Sequence, residues 1–382
     1  MRTITTERIP IKLWLDDIEP AALTQARNAA NLKVAVDWVA IMPDSHVGYG
    51  VPIGAVLATD DAIVPNAVGV DIGCGMMAVR TNVRADEVPR EKLNEIVGEA
   101  RRRIPLGFSH HKEPQPWKGF AHAPDVPVIR RELASAQKQL GTLGGGNHFI
   151  ELQAGDDGRL WAMVHSGSRN FGLQVATEYH KRAIEHCREA GVELPDKDLA
   201  FLPLRTAAGE EYVEAMNYCL QFAFANRAAM MAQIEDILAR ELGAAVDERI
   251  NIHHNFAAIE EHGGRQVVVH RKGATKADAG LVGLIPGSMG THSYVVEGLG
   301  NPESFRSCSH GAGRRMGRKE AIRKLSLEEE KRRMEGIIGA PRTQRELEEA
   351  PGAYKPIDDV MANQADLVRI RLRLRPLAVI KG

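Results

Sequence analysis

Residue types that bind transition metals recur in this sequence beside short glycine-rich segments. Asp71 and Cys74 stand three residues apart in VGVDIGCGMM, flanked by Gly69, Gly73 and Gly75. A carboxylate and a thiolate on such a turn can reach one metal ion, because glycines let the backbone fold closely around it. For any single cysteine of this kind, however, a buried structural role is the more common one.

Four histidines extend this set. They are His148 in LGTLGGGNHFIEL, His165 in VHSGSRNFG, and His253 and His254 in NIHHNFA. Taken singly, each is more typical of a hydrogen-bonded polar residue than of a ligand. Together with the carboxylate and the thiol, His148, His165 and one of the adjacent pair supply the donor types of a transition-metal site, each at the edge of a predicted strand.

A fifth histidine is surrounded by small residues. In SCSHGAGRRMGR, His310 precedes Gly311, Ala312 and Gly313, and Arg314 follows where we expect a helix to begin. Small neighbours clear space beside the imidazole, and a helix N-terminus with a guanidinium would hold an anion against it. Neutral imidazole is a nucleophile at physiological pH, so this pattern indicates attack on phosphorus. The alternative is a histidine that only hydrogen-bonds the substrate.

Other polar strings favour phosphate or nucleotide binding. Three consecutive glycines at 144–146 are costly for a plain turn, and backbone N–H groups there could cradle a phosphate. Ser288 and Ser293 in IPGSMGTHSYV could donate hydrogen bonds to a phosphate or a purine edge. Asp44 and His46 in MPDSHVGYG are expected in a loop, where an aspartate is more often a local backbone acceptor.

The elements that must position these residues are strands and helices without regular βαβ alternation. Apolar runs bounded by Gly, Pro or Asn predict strands at IGAVLA, MMAVR, HFIEL, WAMVHSG, VVVHRKG and SYVVEG. Helical periodicity predicts helices over 88–102, 130–140, 210–242 and 314–334. RIRLRLR at 369–375 alternates strictly, which on a strand places four arginines on one face. This row and the basic segment 314–324 are interpreted first as solvated, ion-paired faces, and second as contacts for an RNA backbone.

Composition excludes several classes of protein. The 382 residues include 49 Lys and Arg against 50 Asp and Glu, so the protein has no net positive charge that would attract nucleic acid. Four cysteines cannot form a disulfide framework, and no apolar run approaches the roughly 20 residues that span a bilayer. We therefore expect a cytoplasmic protein with no membrane role.

Taken in order, ten strings resemble the RtcB family of RNA-splicing ligases. They are MPDSHVGYG, VGVDIGCG, LGGGNHF, VHSGSR, HHNFA, RKGA, IPGSMGTHSY, SCSHGAGR, AYKPID and AVIKG. The resemblance implies an α+β fold, with one compact domain over 1–382, mixed and antiparallel sheets around a central metal and nucleotide cleft, and helices outside. It also implies an enzyme that joins an RNA 3′-phosphate or 2′,3′-cyclic phosphate to a 5′-hydroxyl, using GTP and Mn²⁺ through a guanylylated histidine.

By the same resemblance, each motif residue receives a role. The ligands of two Mn²⁺ ions, bridged by the cysteine, would be Asp71, Cys74, His148, His165 and His254. His310 would attack the α-phosphate of GTP, Asp44 would orient it, and Arg314 would lie at the edge of the site. The guanylate contacts would be Asn147, Phe149, Glu151, Asn255, Ser288, Ser293, Ala312, Gly313, Tyr354 and Lys381. On affinity order alone a thiolate with imidazoles favours Zn²⁺, so manganese is implied only by the resemblance.

The expected partners are RNA ends from tRNA splicing or RNA repair, with an activating protein such as archease, and we expect a monomer. One alternative is a metal-dependent RNA cyclic phosphodiesterase or phosphatase without guanylylation. Such an enzyme needs the metal ligands but not His310, Ser293 or Lys381. A second alternative is a non-catalytic RNA-binding protein, in which the metal ligands would be superfluous.

Overall fold

The computed structural model describes residues 1–382 and has seventeen strands and nine α-helices. The strands are β1 Arg2–Ile4, β2 Ile11–Leu13, β3 Ala35–His46, β4 Ile53–Thr59, β5 Ala62–Ile63, β6 Gly75–Arg84, β7 Phe149–Gly155, β8 Arg159–Ser166, β9 Leu202–Pro203, β10 Val246–His253, β11 Asn255–His262, β12 Arg265–Lys272, β13 Ala274–Lys276, β14 Val282–Ile285, β15 Ser293–Gly298, β16 Ser307–Ser309 and β17 Val368–Lys381. The helices are α1 Pro20–Ala30, α2 Pro65–Val68, α3 Arg90–Arg103, α4 Pro127–Gln139, α5 Arg169–Glu189, α6 Ala207–Leu242, α7 Arg318–Lys324, α8 Leu327–Arg333 and α9 Ile357–Ala362.

Two large sheets carry the fold. The first has six strands in the order β1-β2-β3-β4-β12-β11, and within it β2 and β3 run parallel. The second has seven strands in the order β10-β6-β8-β7-β17-β15-β14, all antiparallel. Two short pairs, β13-β16 and β5-β9, complete the strand pairing. The predicted α+β class, with mixed and antiparallel sheets, is confirmed.

Helix α6 connects the packing around both sheets. At 36 residues it is ~54 Å long. Its first half buries Tyr212 and Phe222 in the core beside the six-stranded sheet, and its second half buries Ile234 against β6, β7 and β8. It ends at Gly243, whose φ of 64° is the left-handed C-cap that the sequence predicts.

Three local predictions need correction. The helical region predicted over 314–334 is broken into α7 and α8, because Ser326 caps the start of α8 by accepting from the Glu329 amide. Asp44 and His46 are not in a loop but end β3, where its pairing with β4 shifts register. The strand predicted over 369–375 is confirmed within β17, but a register shift between its partners Val295 and Val296 interrupts the regular alternation.

The two sheets meet where the candidate residues gather. The chain leaves β10 of the seven-stranded sheet at His253 and enters β11 of the six-stranded sheet at Asn255, so His254 lies at the crossing. Cys74 immediately precedes β6, and His148 immediately precedes β7. None of the helices has both the length and the apolarity that crossing a bilayer requires.

Candidate active site

Five buried or half-buried side chains form a continuous cluster. The Cys74 sulfur lies in its middle, 3.5 Å from His148 Nε2 and 3.3 Å from His165 Nε2. On one side, His148 Nε2 lies 3.1 Å from Asp71 Oδ2. On the other, His165 Nε2 lies 3.4 Å from His254 Nε2. The ligating atoms of the cysteine, His148 and His165 fall within 4.8 Å of one another, a spacing that suits a shared metal ion.

Backbone carbonyls fix which ring nitrogen faces the cluster. His148 Nδ1 lies 3.0 Å from the Leu143 carbonyl oxygen, and His165 Nδ1 lies 3.1 Å from that of Asn147. A carbonyl can only accept, so each Nδ1 is engaged as a donor, and both Nε2 atoms, which face Cys74, are the nitrogens available to a metal ion. This arrangement is typical of metal-binding histidines.

Burial gives the cluster the electrostatics of a cation site. It lowers the pKa of His165 and of His254 well below the usual value, so both rings are neutral donors. Burial, reinforced by the charge of Asp71, raises the pKa of the Cys74 thiol well above its usual range. A buried thiolate therefore needs a cation beside it, and the donor set of sulfur, imidazole and carboxylate fits a divalent metal ion.

The structure resolves which of the adjacent histidines joins the cluster. His253, at the end of β10, turns away: its Nδ1 lies 3.1 Å from the Gly73 carbonyl oxygen and 3.2 Å from a nitrogen of the Arg227 guanidinium. His254 is 3% exposed and faces His165. One donor for the cluster thus comes from the point where the chain changes sheets.

His310 lies beside this cluster and is held by a buried aspartate. Its ring centroid is 4.7 Å from that of His254. Its Nδ1 donates to Asp44 Oδ2 at 2.6 Å, and its backbone N–H donates to the same oxygen at 3.1 Å. Asp44 is fully buried, and its other oxygen has no hydrogen-bond partner. With Nδ1 bound, the Nε2 lone pair of His310 is the one left free to react.

A cavity of about 560 Å³ opens onto both His310 and the cluster. Nine of the ten residues that the resemblance assigns to guanylate line it: Asn147, Phe149, Glu151, Asn255, Ser288, Ala312, Gly313, Tyr354 and Lys381. The tenth, Ser293, is 1% exposed and lies behind the wall, where its hydroxyl accepts from the Gly287 amide at 3.3 Å. Ser293 therefore braces the turn that carries Ser288.

Gln153, two residues beyond Glu151 on β7, is a further residue of the site that the sequence motifs do not include. Its amide donates to Glu151 Oε2 at 2.7 Å and to the Ser293 hydroxyl at 3.1 Å. Alternation on a strand places residues i and i+2 on one face, so the spacing alone could have indicated this contact. Burial raises the pKa of Glu151 to about 8, although Gln153 and Lys381 oppose the shift.

This shift predicts a pH-dependent stability. Because the pKa of Glu151 is higher in the folded chain, its contribution to stability is complete below pH ~4.5 and is lost as pH rises to about 8. Over that window, the unfolding free energy of the wild type should fall relative to Glu151→Gln by up to about 1.4 kcal/mol per pH unit. Urea titrations of both ligand-free proteins from pH 5 to 8 measure the difference. Parallel stability profiles would rule out the shift.

A second unforeseen residue, Glu349, organises the basic edge of the cavity. Its carboxylate lies 3.1 Å from a nitrogen of Arg314 and 2.9 Å from Nε of Arg318, and it accepts from the Tyr354 hydroxyl. Burial opposes its ionisation, but the charges of Lys381 and Arg314 outweigh that effect and lower its pKa. Glu349 belongs to no recognisable string, so no local pattern identifies it in advance.

Arg314 lines the cavity, but the prediction that a helix begins at this residue is wrong. No helix begins there: Arg314 forms an isolated bridge with Tyr354, and α7 begins at Arg318. The guanidinium is held by the Glu348 carbonyl at 2.6 Å and by Glu349. Side-chain charge, rather than a helix N-terminus, is therefore what Arg314 offers to an anion.

Arg227, in the middle of α6, supports the cluster from behind. It is fully buried and donates to the Gly73 carbonyl at 2.8 Å and the Ser166 carbonyl at 2.9 Å. These carbonyls belong to the residues that precede Cys74 and follow His165 in the chain. An isolated arginine within a long helix is normally predicted to be exposed to solvent. The sequence alone therefore could not identify the supporting role of Arg227.

Replacing Arg227 should destabilise the protein strongly. Arg227→Ala would leave a cavity and remove the guanidinium donor from two buried carbonyls, so we expect a loss on the order of 3–5 kcal/mol of unfolding free energy. Arg240→Ala is the matched control on α6, because that side chain is half exposed and pairs only with surface acids; its cost should stay below about 1 kcal/mol. Denaturant unfolding measures both, and equal costs would contradict a supporting role for Arg227.

Comparison with known proteins covers all of these residues. The model of the family described as tRNA-splicing ligase RtcB matches residues 25–382. RNA-splicing ligase RtcB of Escherichia coli (strain K12) is 39% identical, over 99% of this chain and 99% of the relative. The proteins named tRNA-splicing ligase RtcB from Pyrobaculum aerophilum and Thermococcus kodakarensis are each 33% identical, over 98% of this chain and 95% of the relative. The matched region includes every residue of the cavity.

Proposed function

This chain belongs to the RtcB family of RNA-splicing ligases, and we propose that it joins RNA 3′-phosphate or 2′,3′-cyclic phosphate ends to 5′-hydroxyl ends with GTP and Mn²⁺. The proposal includes a histidine–GMP intermediate on His310 and one catalytic domain over residues 1–382. It is supported by a cavity whose lining comes from both sheets and from the segments between them.

The observation that carries the proposal is the position of His310. Its Nδ1 is bound to Asp44 at 2.6 Å, and its ring lies 4.7 Å from that of His254. An enzyme that only hydrolysed cyclic phosphates would need the cluster but no oriented imidazole beside it. The histidine and its buried aspartate are the arrangement that activates a nitrogen nucleophile.

The metal ligands are proposed to form two sets that share Cys74. Asp71 and His148 would complete one set, and His165 and His254 the other, in keeping with the order of contacts in the cluster. Two bound divalent ions would neutralise the negative charge that develops on the phosphates.

The covalent chemistry is proposed to begin at His310. Its Nε2 forms a bond to the α-phosphorus of GTP while the bond from that phosphorus to the β-phosphate oxygen breaks, and pyrophosphate leaves with the electron pair. An oxygen of the RNA 3′-phosphate then displaces the imidazole and takes the GMP. Finally the 5′-hydroxyl attacks the 3′-phosphorus, GMP leaves, and the hydroxyl proton passes to solvent. The Asp44 carboxylate keeps Nδ1 protonated throughout and offsets the positive charge on the ring.

Guanylate recognition is assigned to the wall formed by β7, the end of β17 and the segments around Ser288 and Tyr354. Phe149 offers an aromatic face, with Lys381 Nζ 5.6 Å from its ring centroid. Glu151, when ionised, accepts two hydrogen bonds, which matches the paired N–H donors of a guanine edge.

The proposal is tested by ligation of defined ends. A 3′-phosphate RNA and a 5′-hydroxyl RNA should be joined by the purified chain only when GTP and Mn²⁺ are both present. Opening of a 2′,3′-cyclic phosphate without any joined product, whether or not GTP is added, would instead identify a phosphodiesterase.

A further inference from the structure

One part of the active-site cavity contains none of the residues proposed to bind the metal ions or the guanylate. It is formed by the segment that joins β3 to β4 and by the residue before Asp71. Three apolar side chains of this part, which we call the apolar rim, line the cavity and remain exposed: Val47 at 41%, Tyr49 at 66% and Val70 at 42%. Apolar side chains that line a largely polar cavity and remain exposed are typical of a ligand contact.

The backbone beneath the apolar rim is firmly held. The Gln25 side chain donates to the Gly48 carbonyl at 2.7 Å and accepts from the Gly48 amide at 3.0 Å. The buried Lys272 ammonium donates to the carbonyl oxygens of Tyr49, at 2.5 Å, and Val51, at 3.3 Å. A Cβ at position 48 would lie 2.6 Å from the Val51 carbonyl oxygen, so glycine is required there. The fold fixes this segment while leaving the tyrosine side chain exposed in the cavity lining.

A fixed backbone with an exposed aromatic side chain is a preorganised stacking surface. Binding a flat apolar group there costs little conformational entropy, because only the side chain of Tyr49 must be ordered. Of the groups at an RNA end that a ligase must admit, the terminal nucleobase has such a face, whereas the phosphates and ribose do not. Recognition of single-stranded RNA relies on this kind of stacking.

We propose that the apolar rim is the subsite for the terminal nucleobase of an RNA strand, with Tyr49 stacked on the base. This inference rests on the proposed function. The apolar rim belongs to the β3–β4 segment and the Asp71 turn, whereas Phe149 and Lys381 of the guanylate site belong to the seven-stranded sheet. The guanine of GTP and the terminal base of the RNA would therefore contact different elements of the fold. The RNA base could come from the 3′-phosphate strand or from the 5′-hydroxyl strand.

The test measures the affinity of short RNA oligonucleotides by fluorescence anisotropy. One arm uses a 5′-phosphorylated oligonucleotide with a 3′-phosphate end, and the other a 5′-hydroxyl oligonucleotide with a 3′-hydroxyl end. Each is prepared with a normal or an abasic terminal nucleotide. In at least one arm, Tyr49→Ala should weaken binding about tenfold when the base is present and leave the abasic oligonucleotide unaffected. Tyr49→Phe should restore the affinity, because the ring rather than the hydroxyl carries the contact.

Two outcomes would overturn the subsite. Either Tyr49→Ala leaves affinity unchanged in both arms, or it weakens normal and abasic oligonucleotides equally. Ile259→Ala is the matched control, because that apolar side chain is 62% exposed on β11 and does not line the cavity. Failure of the proposed function would appear separately, as the absence of GMP addition and of RNA joining in the wild type. The affinity measurements would still show whether Tyr49 binds a terminal base.

Discussion

Replacing Cys74 by alanine should abolish both RNA joining and the opening of a cyclic phosphate end, by at least about 10³-fold. The sulfur lies 3.5 Å and 3.3 Å from the facing nitrogens of His148 and His165, so its loss removes the one donor that both proposed ion sites share. It also removes the negative charge that would offset the cations within a buried cluster. Equilibrium dialysis against Mn²⁺ should show a matching loss of bound metal.

The control for this prediction is another buried cysteine. Cys187→Ala alters α5, where the sulfur is buried in the apolar core and hydrogen-bonds the Phe201 carbonyl, so metal binding and activity should stay near the wild type. Retention of either activity by Cys74→Ala would remove the cluster from the mechanism.

Asp44→Asn should slow formation of the GMP adduct by about 10²–10⁴-fold while the chain stays folded. An asparagine has the shape of the aspartate but no charge, so it neither holds the proton on Nδ1 of His310 nor stabilises a positively charged ring. The Asp44 carboxylate hydrogen-bonds no other side chain, because Oδ1 has no partner and Oδ2 accepts from His310. Single-turnover measurement at saturating GTP separates this effect from nucleotide affinity.

Asp366→Asn provides the comparison, because that carboxylate accepts from the Trp14 indole and does not line the cavity. Its adduct rate should remain within a few fold of the wild type. An Asp44→Asn rate equally close to the wild type would show that the carboxylate does not orient the nucleophile.

Local strings predicted much of this site because the donors lie at strand ends beside glycine turns. Gly69 and Gly73 have φ values of 99° and 75°, which only such residues adopt readily, so the motif around Asp71 and Cys74 specifies its own turn. The strands that carry Phe149 and His165 likewise follow from apolar runs. The choice between His253 and His254 could not follow from the residues alone, because it depends on how β10 and β11 join different sheets.

The residues that sequence reasoning missed act across long sequence separations. Arg227 reaches the carbonyls of Gly73 and Ser166 from α6, and Glu349 gathers Arg314 and Arg318 from a segment without a motif. Such contacts are decided by packing rather than by a local pattern. For the same reason, the small residues after His310 suggested a helix start that the chain does not form.

The histidine–GMP intermediate can be detected by the intact mass of the purified protein after incubation with GTP and Mn²⁺. We expect that the wild type gains one GMP, that acid removes it because the bond is a phosphoramidate, and that His310→Ala gains none. Joining of RNA by a wild type that never carries GMP, or a GMP adduct on His310→Ala, would contradict a ligase that works through this histidine.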